Sequence, residues 1–216
     1  MSNEIVMDID RYRTIREACV QLNSYILKGL KKTDTRIAAR ALGVMKGNKV
    51  VLANEEDIDR VYDFFVNDYR NPDGMTLVEC FHQAHSDLSE DEQRVLEGLL
   101  HSSSSLFRIT DVNSADKTIE LENLLSPDHR ITVMDLGLSS VPDLKGLLMF
   151  SRIVSLPEVN MTSGAPLLFE PYVEELLLGQ YPKKMAKITV GDESMKRAAA
   201  FFRLYQRYGL QELGYR

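Results

Sequence analysis

Tryptophan is absent from this 216-residue chain, and cysteine is nearly so, with only Cys19 and Cys80. Two scattered thiols build neither a disulfide framework nor a metal knuckle, so both read as buried free thiols of a reducing compartment. No apolar run approaches the ~18 residues that a bilayer span needs. The longest, Gly146-Leu-Leu-Met-Phe-Ser-Arg-Ile-Val154, has the length of a strand and carries Arg152. The opening MSNEIVMDID has acids and no apolar core, unlike a secretory leader or a transit peptide. A cytoplasmic location is expected by elimination. There is no G-x-S-x-G, no Walker A and no G-x-G-x-x-G. No catalytic residue, cofactor or metal is therefore assigned from motifs.

Charge is present but unevenly placed. The net charge is −6. Residues 53–100 hold thirteen acids against three bases, whereas residues 11–40 hold eight bases against two acids and residues 183–216 eight against three. Such blocks either face one another in the fold or mark separate surfaces for separate partners.

The apolar pattern predicts helices in the first half. Tyr12, Ile15, Cys19, Leu22, Ile26 and Leu30 recur at helical spacing over 8–30, with Val20 and Leu27 widening the stripe. A short helix follows from Thr33 or Asp34 to Leu42, stopped by Gly43. Lys49–Leu52 has the look of a short strand. Asn54 opens an acidic helix whose buried face is Ile58, Val61, Tyr62, Phe65 and Tyr69, with Glu56, Asp59 and Asp63 along another side. Asn71-Pro-Asp-Gly74 is a turn. Thr76–Glu79 and Ser89–Glu92 are capping boxes, each followed by apolar residues at helical spacing.

At His101 the character changes. Ser102–Ser105 reads as a linker, with a phosphorylated hinge as the sharper alternative. Short β-rich segments follow at 106–112, 118–124, 130–136, 146–155, 159–161 and 167–169, separated by turn-like stretches that include Ser126–Asp128 and Ser163–Pro166. They predict a small antiparallel sheet or barrel. Pro171–Gly179 and 193–209 read as helices, the latter capped by Asp192 and stopped by Gly209. The fold class expected is α+β: a helical domain over 1–101, a small β-barrel-like module over 102–170, and C-terminal helices over 171–216 that pack back.

Three sequence pieces resemble an uncharacterised family of bacterial proteins with cyanobacterial members: DFFVNDYRNPDGMTLVECF, LSEDEQRVLEGLLHSSSSLFRI and VPDLKGLLMFSRIV. The resemblance implies a helical segment joined to a small barrel. It implies no activity and assigns no functional residue.

For function, the last helix is the most informative segment. Met195, Ala198, Phe201, Phe202, Leu204, Tyr205 and Tyr208 fill one side, while Lys196, Arg203 and Arg207 gather on the other, in reach of a phosphate, an acidic lipid or an acidic protein. The expectation is a non-catalytic protein–protein interaction, assembly or regulatory protein, with Lys196, Arg203 and Arg207 as the partner contact. A nucleic-acid binder using the β module and the basic helix is the alternative; a pI near 5.3 and the lack of aromatic–basic alternation on the strands weigh against it. A metal-dependent enzyme around Glu79, His82 and His85 is the third reading, since Glu-x-x-His suits helical metal sites. Here it lacks a second copy.

Overall fold

The computed structural model describes residues 8–55, 57–127, 129–164 and 166–210. Glu56 of the acidic stripe, Asp128 and Ala165 of the two turns, and the opening residues 1–7 lie outside the described residues.

Five helices come first: α1 (Ile9–Leu27), α2 (Lys32–Leu42), α3 (Asp57–Asn67), α4 (Leu77–Ala84) and α5 (Glu90–Leu100), with a two-residue-stranded hairpin of β1 (Met45–Lys46) and β2 (Lys49–Val50) between α2 and α3. Asp8 caps α1, and both capping boxes form, at Thr76/Glu79 and Ser89/Glu92. Gly43 ends α2 at φ 79°, a left-handed position that a Cβ would strain. The buried face of α1 is the predicted one, except that Val20 is exposed. α3 departs further. It starts at Asp57, not Asn54, and buries Val61, Phe64 and Phe65, while Ile58 and Tyr62 stand 41% and 45% exposed.

The β module comprises β3 (Ser103–Asn113), β4 (Thr118–Asn123), β5 (Arg130–Met134), β6 (Leu148–Ser155), β7 (Asn160–Thr162) and β8 (Leu167–Phe169). The strand order is β3-β4-β5-β7-β6, and β6 pairs back with β3, so the ring closes. β3 manages this by serving two partners: residues 103–108 pair with β6 and 107–113 with β4, with a bulge between Ile109 and Asp111. β8 pairs alongside β7 on the same edge of β6. This is the small five-stranded barrel architecture of OB-type folds. Ser103–Ser105 are the start of β3, not a linker: Ser104 and Ser105 are buried opposite Arg152 and Ser151.

Strand alternation splits the core in two. Phe107, Ile109, Ile119, Leu121, Val133, Met149 and Ile153 fill the barrel. Their alternate neighbours, Leu106, Leu148, Phe150 and Val154, join the larger core shared with the helices. Two helices complete that second core: α6 (Glu174–Met185) and α7 (Glu193–Tyr208). Phe201 of α7 stacks on Phe150 of β6 and on Tyr181 of α6, with ring centroids 4.3 and 5.2 Å apart. The fold is α+β, and no helix among the described residues is long and apolar enough to cross a membrane.

Candidate functional site

The residues expected to form a basic stripe on α7 have unequal fates. Arg203 Nε and Nη2 donate to the carbonyls of Ala41 (2.8 Å) and Arg40 (3.0 Å), so this guanidinium closes the C-terminus of α2. Lys196 reaches Glu193 at 3.4 Å. Arg207 is exposed, its guanidinium 5.2 Å from the Tyr208 ring.

Glu79 is likewise committed. Its carboxylate accepts from Thr76 N–H and from Arg70. Burial alone would raise its pKa, but these bonds outweigh it and hold the carboxyl below the usual range. His82 is exposed, and His85 stacks on Phe81 at 4.1 Å with Nδ1 3.1 Å from the Phe81 carbonyl. Among the described residues, no three His, Cys, Asp or Glu side chains converge as metal ligands.

A cleft of about 820 Å³ lies elsewhere, between the C-terminal end of α1, the start of α2, and α4 with its following loop. That is within the usual size of ligand pockets. Buried Ile26, Leu77 and Phe81 and half-buried Leu88 supply the cleft's apolar lining, and the more exposed Lys28, Lys31, Asp87 and Glu92 supply charges of both signs. Cys80, half-buried and not the buried thiol expected, opens onto it and accepts a hydrogen bond from Asn71 Nδ2 at 3.3 Å. Burial, then the charges of Glu79 and Asp73, push the Cys80 thiol up, away from the nucleophilic thiolate. At the back, buried Asp34 accepts from Tyr69 Oη at 3.2 Å, and burial with that carboxylate pushes the phenol up to about 12.

A second, much smaller cavity of about 30 Å³ sits where α3 meets the barrel. It is water-sized. Around it Arg152 of β6 pairs with Asp68 at 2.5 Å, and its Nη1 donates to Ser102 O and Oγ at 2.9 Å. Burial pushes Asp68 up to about 6 and raises Asp63 as well, against the pull of Arg152. Arg152 Nε and Asn67 Oδ1 have no partner. Nearby, Arg16 of α1 donates to Thr162 O at 2.7 Å across Gly164, where a Cβ would fall 2.0 Å from the guanidinium.

These features define a class: a helical assembly docked on a closed five-stranded barrel through a seam of buried charge, with an open amphipathic cleft in its helical part. The chain belongs to a family of unknown function, DUF7986, whose model matches residues 7–214. No curated protein and no solved structure matches it.

Proposed function

We propose that this chain is a non-catalytic interaction protein whose cleft between α1, α4 and the α4–α5 loop receives apolar side chains of a partner protein. One observation carries the reading: buried apolar side chains and more exposed charges of both signs line the same cleft, as the core and edge of a protein interface do. The groups around it that could do chemistry are turned to structural ends. The Cys80 thiol is held protonated, Glu79 caps a helix, and His85 is stacked and bonded.

The nucleic-acid alternative draws less support from the barrel. Its β4–β5 surface, where OB-type barrels engage oligonucleotides, exposes Glu120 beside Thr132 and carries Glu122 paired with Arg108. Carboxylates there repel phosphates, and no aromatic ring stands among those outward residues for bases to stack on.

Position 84, an exposed residue at the cleft mouth, allows a direct test. A photoreactive phenylalanine analogue placed there should cross-link one discrete protein in the source cells, and one at exposed Tyr172 should not. Adding Lys196→Glu and Arg207→Glu distinguishes the cleft from the α7 stripe, since the cross-link should survive both changes. Absence of any protein cross-link from position 84, or a copurifying small molecule displaced by Ala84→Arg, sinks the proposal.

A further inference from the structure

A dense cluster of uncompensated cations lies outside α7. Residues 31–52 carry six cations, Lys31, Lys32, Arg36, Arg40, Lys46 and Lys49, all exposed. The one acid in that stretch, Asp34, is buried and bonded to Tyr69. Among the described residues none of the six has an ion-pair partner. Lys32, Arg36 and Arg40 follow one another at every fourth residue along α2, so they share one helical face. Gly43 then turns the chain directly into the β1–β2 hairpin, where Lys46 and Lys49 are cross-strand partners.

Like charges four apart on a helix, and like charges directly opposite in a hairpin, both oppose the structure that holds them. Both arrangements occur here within one short segment, with no carboxylate to relieve them. An anionic surface would remove that repulsion. The same segment also exposes aliphatic residues, Val50 at 43% and Val51 at 40%, immediately after Lys49. Aliphatic side chains next to cations suit the boundary between lipid headgroups and acyl chains, into which they can insert. They offer nothing to a phosphate backbone, and the segment has no aromatic ring for bases.

We propose that α2 and the β1–β2 hairpin form a peripheral docking face for an anionic phospholipid bilayer, with Lys32, Arg36, Arg40, Lys46 and Lys49 on the headgroups and Val50 and Val51 in the interfacial layer. The net charge of −6 does not forbid this. Screening limits each charge to a range of ~10 Å at moderate salt, so the local face dominates. The surface shares the start of α2 with the cleft, but none of its five cations lines the cleft, and neither proposal depends on the other.

Vesicle flotation tests it with the full chain. At 50 mM salt, vesicles of phosphatidylcholine with about a third phosphatidylglycerol should carry the protein upward, pure phosphatidylcholine vesicles should not, and 500 mM salt should release it. A cation near such a surface contributes about five-fold in affinity, so Arg36→Gln with Arg40→Gln should cost roughly 25-fold. Val51→Asp should weaken vesicle binding and leave the melting temperature unchanged, whereas Lys196→Glu with Arg207→Glu should change nothing. A 50-base-pair DNA duplex is the competing polyanion. No flotation on anionic vesicles at low salt, insensitivity to the Arg36/Arg40 pair, or DNA binding tighter than vesicle binding would each overturn the assignment.

Discussion

Two Arg–Asp pairs in this molecule have the same length and opposite physics. Arg152–Asp68, in the seam between α3 and the barrel, is 2.5 Å long with both side chains 3% exposed. Arg11–Asp91, between α1 and α5, is also 2.5 Å long, but its side chains are 31% and 27% exposed. In the seam, burial wins: Asp68 is pushed up to about 6 although a guanidinium touches it. Between α1 and α5, the hydrogen bond from Arg11 wins, and Asp91 lies below the usual carboxylate range. Contact distance therefore does not set the worth of an ion pair here. Desolvation does. The Arg11–Asp91 pair joins the basic first helix to the acidic fifth, with Glu158 held by both Arg11 and Arg94. To that extent the opposed charge blocks of the sequence face each other.

The sharpest way to break the comparison is Arg152→Met. It leaves Asp68 and Asp63 in the seam without their nearest cation, and breaking a buried pair in this way costs about 3–5 kcal/mol. Chemical denaturation measures it. Arg152→Met together with Asp68→Leu should recover most of that loss, because the desolvation penalty departs with the charges. A double variant no more stable than the single would show that the pair is worth more than its burial costs.

A smaller effect, of defined sign, comes from pH. A carboxyl whose folded pKa is about 6, against an ordinary value near 4, holds more protons folded than unfolded between those values. Its contribution to stability is therefore complete at the acid end of that window and declines as pH rises through it. Asp68→Asn mimics the protonated form, so the advantage of wild type over this variant should shrink from pH 4 to pH 6. Asp91, with its lowered pKa, behaves in reverse: the advantage of wild type over Asp91→Asn should grow as pH rises through about 4. Parallel slopes for the two variants in urea titrations would refute the contrast.

Much of the fold was legible from sequence where one pattern had no rival. The Ser89–Glu92 capping box and the aromatic side of α7 each had a single reading, and each forms; at Thr76–Glu79 the capping box competed with the Glu-x-x-His reading, and the box forms. α3 was legible only in part: Val61, Phe65 and Tyr69 of the expected face are buried, whereas Ile58 and Tyr62 stand exposed and Phe64 lies in the core instead. Ser103–Ser105 misled because their strand character comes from β6, some 50 residues away, not from their own propensity. The cleft was invisible because α1 and α4 contribute to it from separate parts of the chain, without a motif. The seam left one trace, a lone Arg152 inside an apolar run. A helical wheel groups Lys196, Arg203 and Arg207 on one side of α7, but it does not show that Arg203 turns to the end of α2. Lys32-x₃-Arg36-x₃-Arg40 was open to reading and hidden only inside a block sum of charge.

The smallest effect is the one that tests desolvation as the cause. Arg11→Met removes a pair as short as the seam pair, and a second contact to Glu158 at 3.1 Å, yet both its acids stay in touch with water. Exposed pairs of this kind contribute about 0.2–1 kcal/mol. The loss should also fade in concentrated salt, where the screening length falls to ~3 Å, whereas the cost of Arg152→Met should persist because ions do not enter the seam. Denaturation of both variants at 0.1 M and 1 M sodium chloride separates the two. If Arg11→Met costs as much as Arg152→Met, or if both costs fade alike in salt, burial is not what distinguishes the two regions.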